Sequence, residues 1–307
     1  QTVKILYVIY SAMTALQIIL LIISGMPVYD SVIHALGTAG TGGFSIRSTS
    51  IGAYNNVFSE VVIAVFMFLF GTNFALYYRM IRGNLKSCLR DAEFRFYLGT
   101  VLVSTVLITL DLTGKVFGSF WEALRHSSFQ VSSIITTTGY STADFNLWPS
   151  FSKAILMLLL FIGASAGSTA GGIKCIRIVL LMKLVRREVH RIIHPRSVYT
   201  VRINGKAVDE DVLSGVTVFF YAFMCIFAIA LLIVSLEGKD MISNFTAVAT
   251  CIGNVGPGLG IVGPMGNFSS YSVLSKAVFT FCMIAGRLEI MPVLLLLAPT
   301  FWKKVNI

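Results

Sequence analysis

Long apolar runs alternate with shorter polar ones in an order that occurs three times along the chain. Residues 5–26 are almost wholly apolar and are closed by Pro27. About twenty helical residues cross a bilayer, so this run predicts a spanning helix. Asp30 to Leu36 is too short to span and reads as a half-helix, with its acid at the end where a helix dipole favours negative charge. The loop Thr38-Ala39-Gly40-Thr41-Gly42-Gly43-Phe44-Ser45 follows, and 59–78 spans back. The order then repeats with 96–113 going out, a half-helix over 119–135, and the loop Ser132 to Thr142 rich in threonine and closing on Gly139-Tyr140. Residues 152–182 return, interrupted at 163–172. A third round consists of 212–236, the half-helix Asp240–Thr250, the loop Thr250 to Gly258 with its continuation to residue 260, and 272–300. Between the second and third rounds, 183–211 is polar and basic. There Val198–Ile203 followed by Asn204-Gly205 reads as a small hairpin.

The unit is therefore helix, half-helix, glycine loop, helix, with Gly43, Gly139 and Gly256 recurring at roughly 100-residue intervals. We expect an all-α integral membrane protein divided into 1–90, 91–185 and 186–307. Irregular backbone at membrane depth is tolerated only where it is buried in protein or lines a water-filled path. Glycine admits dihedrals that turn carbonyls toward a path and leaves no side chain in it. Rings of backbone carbonyls replace an ion's hydration shell in membrane pores, and threonine adds a hydroxyl oxygen. Each half-helix enters from the outer side, so its partially negative C-terminus points into the membrane and suits a cation. One such loop by itself is equally consistent with a simple chain turn or with close packing of helices. Three in the same architectural place point to a pore built by internal symmetry.

Composition sharpens this picture. The chain has 307 residues, 56% hydrophobic and only 12% charged, against roughly 25% charged in soluble domains. Its mean hydropathy is +0.82. The net charge of +10 is unevenly placed, with five of the 24 Lys/Arg in 79–95 and nine in 174–206. Lys303 and Lys304 close the chain. Basic residues gathered in alternate connections mark the cytoplasmic side, so the charge reports orientation, with anionic lipid as a secondary partner and no nucleic acid. The cysteines Cys88, Cys175, Cys225, Cys251 and Cys282 lack metal-ligand spacing and read as reduced packing residues. Paired carboxylates or His/Cys clusters that would suggest an enzyme are absent from the sequence.

On these residues the chain resembles the TrkH-type subunit of the Trk/Ktr/HKT superfamily of potassium transporters. The resemblance is carried by Thr41-Gly42-Gly43-Phe44-Ser45, by Thr136-Thr137-Thr138-Gly139-Tyr140-Ser141-Thr142-Ala143-Asp144-Phe145 and by Asn254-Val255-Gly256-Pro257-Gly258. Gly163 to Lys174 and Gly286-Arg287-Leu288-Glu289 add to it. It implies a potassium-channel-like pore of four repeats in a bacterial or archaeal cytoplasmic membrane, of which the second, third and fourth are visible. The implied filter residues are Thr41, Gly42, Gly43, Thr137, Thr138, Gly139, Asn254, Val255 and Gly256, with K+ as the transported ion. With the first wall absent, this chain alone is expected not to conduct. The resemblance also implies a homodimer and a cytoplasmic TrkA-type regulatory ring. That ring would bind any NAD or ATP, since no nucleotide or other cofactor motif occurs here.

The interruption holds Gly163, Ala164, Ser165, Ala166, Gly167, Ser168, Thr169, Ala170, Gly171 and Gly172. A phosphate-binding P-loop needs Gly-Lys followed by Ser/Thr, whereas Ile173 separates Gly172 from Lys174 and Cys175 follows. Small residues for close helix packing are one reading. The resemblance implies the other, an intramembrane gating loop below the filter, with Lys174 and Arg177 at its inner exit. Arg287 and Glu289 fall within the last span, where a central charge costs about 2.5–3.5 kcal/mol on insertion scales. The resemblance gives Arg287 the role of an electrostatic barrier in the permeation path, and a structural ion pair is the alternative. Asp144 suits either a cation-concentrating outer mouth or a helix cap. Asp30, Glu122 and Asp240 read as half-helix starts, and His34 and His126 as packing residues. His190 and His194 read as part of a solvated loop. A sodium- or proton-coupled secondary carrier, a symporter, also uses broken helices. It would have inverted halves, whereas these repeats share one orientation.

Overall fold

The computed structural model describes residues 2–197, 199–288 and 290–297. Helix α1 (Thr2–Ile23) leads through a turn at Gly25 to α2 (Val28–Ala39), which stops short of crossing. After the first loop come α3 (Val57–Phe70), α4 (Phe74–Ile81) and the short α5 (Leu85–Leu89). The second round is α6 (Ala92–Leu112), α7 (Phe120–Ile135), α8 (Ser150–Ile162) and α9 (Cys175–Ile193). The strands β1 (Arg202–Ile203) and β2 (Lys206–Ala207) pair antiparallel around Asn204-Gly205. The third round is α10 (Glu210–Ser235), α11 (Met241–Gly253), α12 (Val273–Arg287) and α13 (Ile290–Leu297).

Several helix starts are fixed by capping side chains, of which Asp240 was an expected half-helix start. Asn56 accepts from the Phe58 and Ser59 amides, Asp91 from Glu93 and Phe94, Asp240 from Ser243, and Ser272 from Ser275. Each such cap contributes about 1 kcal/mol.

Among the described residues the outgoing helices α1, α6 and α10 are each long and apolar enough to cross a membrane. The returning helices depart from expectation. Residues 59–78 and 272–300 are not single spans: α3 and α4 bend by 90°, and α12 and α13 by 115°. With the expected break after α8, all three returning helices are interrupted, after 14, 13 and 15 helical residues respectively. The break after α3 falls at a close approach to other parts of the chain. A Cβ on Gly71 would lie 2.5 Å from the Tyr97 hydroxyl and 2.7 Å from the Thr136 methyl, and Asn73 then caps a new helix through Ala75. Glu289, Lys303 and Lys304 lie outside the described residues.

The basic connector is also more ordered than its polarity suggests. Helix α9 continues to Ile193, and the hairpin keeps its Asn204-Gly205 turn with strands shorter than the expected Val198–Ile203. Val201 and the first turns of α10 pack on Leu180 of α9.

The second and third rounds share one apolar core, while the first has its own, into which Phe129 and Tyr140 of the second round insert. The outward faces of α1 and α10 remain apolar and largely exposed. Such patches are a liability in water but are neutral against lipid tails.

An ion pair joins the first two rounds across α3 and α7, with Nε of the half-buried Arg125 3.4 Å from Oε2 of the buried Glu60. Removing one partner of a buried pair strands the other charge, at roughly 3 kcal/mol or more. A Glu60→Gln variant is therefore expected to lower the Tm of the detergent-solubilised protein, and a Glu60→Leu/Arg125→Leu double variant to recover most of it. An unchanged Tm in the single variant would count against this clamp.

Candidate functional site

The three glycine loops share one backbone course. In each, the half-helix ends in a Schellman motif, where two loop amides fold back onto carbonyls of the last turn. Thr41 N donates to Thr38 O and Gly42 N to Gly37 O; Thr137 N to Ile134 O and Thr138 N to Ser133 O; Asn254 N to Cys251 O and Val255 N to Thr250 O. The residue at the turn is left-handed in every case, with φ of 49° at Thr41, 56° at Thr137 and 56° at Asn254. Two residues later a glycine is again left-handed, with φ of 64° at Gly43, 88° at Gly139 and 106° at Gly256.

Threonine with positive φ is uncommon, because the branched side chain crowds the backbone. Here each turn residue uses its side chain to hold the layer beneath. Thr41 Oγ1 donates to Thr169 O at 3.0 Å, Thr137 Oγ1 accepts from Gly171 N at 2.8 Å, and Asn254 Nδ2 donates to Met283 O at 3.1 Å.

The loops are staggered against one another. A Cβ on Gly43 would fall 1.7 Å from the Thr138 carbonyl oxygen, and one on Gly139 would fall 2.1 Å from that of Val255. Only glycine permits this approach at either position. A Cβ on Gly256 would meet open space, and on the far side of the row Gly42 and Phe44 are exposed. The three loops therefore form a row of walls, with an opening between the third and the first.

Further contacts stitch the row together. The Tyr140 hydroxyl, fully buried, faces His34 O at 3.2 Å and Phe44 O at 3.3 Å. Gly52 N donates to Ser141 O at 3.1 Å, and Asn146 exchanges two hydrogen bonds with the Gly260 backbone. Across the opening, Arg287 donates to Gly40 O at 2.9 Å and to Thr41 Oγ1 at 3.4 Å. A Cβ on Gly286 would lie 1.9 Å from Ile252 O, so this glycine lets α12 approach the end of α11 and carry Arg287 beneath the row.

Residues 163–172 run directly below the loops. Besides Thr41 and Thr137, they touch the third loop, where a Cβ on Gly171 would lie 2.7 Å from Gly253 O. Ala170, Gly171, Gly172, Ile252, Gly286 and Arg287 enclose a cavity of about 20 Å³, room for about one water. The nine loop residues, this segment and Arg287 thus come together. Asp144 stands apart, half-buried, with Oδ1 accepting from Asn146 N at 3.0 Å as a cap.

The half-helix acids diverge. Asp30 is buried and accepts from the Tyr54 hydroxyl, Asp240 caps α11, and Glu122 is exposed. His34 lies fully buried between Asp30 O and Ser45 Oγ.

The sequence reading missed two buried acids, Glu60 and Glu93. For Glu60 the available signal was a lone acid in an apolar run, which requires a partner; Glu93, set among Arg90, Asp91 and Arg95, gave no such signal.

The model of the TrkH cation transport protein family matches residues 1–304. The chain belongs to that family. It is 37% identical over 306 residues to the Trk system potassium uptake protein TrkH of Salmonella typhimurium, covering 99% of this chain and 63% of that protein. It is 34% identical over 307 residues to the Trk system potassium uptake protein TrkG of Escherichia coli, covering 98% and 62%. The crystal structure of the potassium transporter TrkH from Vibrio parahaemolyticus superposes with a TM-score of 0.90 at 34% identity, covering 98% of this chain and 65% of that one. The chain thus spans less than two thirds of the length of these TrkH-family relatives.

Proposed function

We propose that this chain forms three of the four walls of the pore in a Trk-type potassium uptake subunit of the cytoplasmic membrane. The observation that carries this is the thrice-repeated backbone course, a left-handed turn residue and, two residues on, a left-handed glycine, at the C-terminal end of three half-helices. Those ends carry partial negative charge, and the interlocked loops place backbone carbonyls beside one another with no side chain between them. The opening between the third and first loops is where a fourth wall fits.

Thr41, Gly42, Gly43, Thr137, Thr138, Gly139, Asn254, Val255 and Gly256 line the filter and replace the hydration shell of K+. Residues 163–172 form the gate. Their hydrogen bonds to Thr41 and Thr137, and the single-water cavity below, correspond to a closed path. Arg287 adds a fixed positive charge at the inner side of the row. Asp144 sits at the outer end and adds negative potential there. Inward movement is driven by the membrane potential and needs no chemistry from the protein, so the subunit is not an enzyme and needs no bound cofactor. The basic cytoplasmic face around α9 and the hairpin receives a TrkA-type nucleotide-binding ring, and the subunit works as a homodimer.

The test is ion uptake. The chain, expressed with its complete coding sequence in cells lacking potassium uptake systems, should take up rubidium in preference to sodium and restore growth at low potassium. Sodium uptake equal to that of rubidium would overturn potassium selectivity. Uptake of neither, with the protein present in the membrane, would overturn the pore reading.

A further inference from the structure

We propose that Glu93 is the positioning residue that latches the gating segment to the membrane-embedded frame; this rests on the gate reading above. Glu93 is the second residue of α6, in the first turn beyond the Asp91 cap, with its side chain buried. Its Oε1 accepts from the Ala166 backbone amide at 2.5 Å, across 73 residues of chain. The Asn73 side chain and the Ile176 amide also face the carboxylate. One acid therefore gathers three structures: the start of the gating segment, the break between α3 and α4, and the first turn of α9.

The neighbouring bonds show which part of the segment is held. Ser165 N donates to Gly71 O at 3.0 Å and Phe74 N to Gly167 O at 3.2 Å, so Ser165–Gly167 is zipped onto the α3–α4 break. A Cβ on Gly167 would lie 3.1 Å from Asn73 Oδ1, so the backbone comes close there. The other half, Ser168–Gly172, lies under the pore loops and is tied to the row by the Thr41 and Thr137 hydroxyls. Opening the path requires the segment to leave this position, so the Glu93 bond, like those two contacts, favours the closed arrangement.

The start of α6 is itself held from the basic side. Asn204, at the hairpin turn, donates to Asp91 Oδ2 at 2.7 Å and accepts from Ala92 N at 2.9 Å. The latch residue thus stands two positions from a contact with the face where the regulatory partner is placed.

A hydrogen bond to a charged acceptor is worth enough to shift a two-state balance by roughly tenfold or more. In the complete protein, Glu93→Ala should raise rubidium leak without the regulator by about tenfold. Glu93→Gln retains an acceptor oxygen at the same reach but loses the charge, and should leak more than the parent and less than Glu93→Ala. Glu93→Asp retains the charge but shortens the reach, and should raise leak in the same direction as alanine. It serves as the deciding variant if Glu93→Ala fails to reach the membrane. In a background lacking Ala164–Gly171, Glu93→Ala should add nothing, because a latch with no segment to hold is silent.

Unchanged leak in Glu93→Asp and Glu93→Ala, where the deletion itself raises flux, overturns the latch and leaves the gate standing. Equal effects of Glu93→Ala with and without the segment also overturn it, since the residue would then act elsewhere. A deletion that leaves flux unchanged removes the gate reading and the latch with it.

Discussion

Replacing Gly139 with valine is expected to abolish rubidium uptake, a loss of at least about a hundredfold, equivalent to roughly 2.7 kcal/mol on the barrier. Two independent penalties converge at this position. The residue has φ of 88°, which a β-branched side chain rarely adopts. A Cβ there would also sit 2.1 Å from the Val255 carbonyl oxygen, far inside contact distance. The second and third loops must therefore separate, and the carbonyl beside the path moves with them. Gly25→Ala separates the two causes. Gly25 has nearly the same φ, 89°, but an added Cβ meets nothing within 4 Å. That variant carries only the conformational cost of about 1–2 kcal/mol, paid in stability, and should retain uptake. If Gly139→Val transports rubidium normally, the filter assignment fails. If Gly25→Ala is as inactive as Gly139→Val at equal membrane abundance, positive φ alone explains the loss and the interlocking of loops is irrelevant.

Deleting Ala164–Gly171 should act in the opposite direction and raise flux through the open path, on the order of tenfold if the segment holds the closed state by about 1.4 kcal/mol. The deletion removes the Thr169 and Gly171 contacts to the Thr41 and Thr137 hydroxyls, together with the backbone that fills the space beneath the three loops. Rubidium flux measured in vesicles without the regulatory partner isolates this effect from regulation. Flux unchanged or lowered, with the protein correctly inserted, would mean that the segment packs helices and gates nothing. That was the alternative its small residues allowed.

Much of the fold was legible because membrane insertion imposes strong rules on sequence. Apolar runs had to be about one bilayer long, and the glycine loops had to lie between them. The Gly43, Gly139 and Gly256 spacing therefore exposed the repeats without any long-range information. The Asn204-Gly205 turn and the Asp240 cap were equally local, because turn and cap chemistry is set by a few neighbouring residues. The interruption at 163–172 was visible in its composition.

Other features were not legible, since they depend on what lies across the structure. The 90° bend at Gly71–Asn73 falls in a stretch apolar enough to read as one helix; the Tyr97 hydroxyl and the Thr136 methyl that crowd Gly71 come from distant parts of the chain. The kink between α12 and α13 was likewise hidden in a continuous apolar run.

By itself, then, the sequence determined the number of glycine loops, the gathering of basic residues in alternate connections, and which glycines and threonines belong to the loops. All of these follow from hydrophobicity, charge and backbone freedom acting over a few residues. Only the tertiary structure decided that Gly43 closes on Thr138 and Gly139 on Val255, that Thr41 and Thr137 hold the segment below, that Arg287 bridges back to Gly40, and that Glu93 and Glu60 each have a partner on another helix. Those pairings join residues far apart in the chain. A buried polar group must be satisfied, but nothing in its local sequence says which distant group will do so.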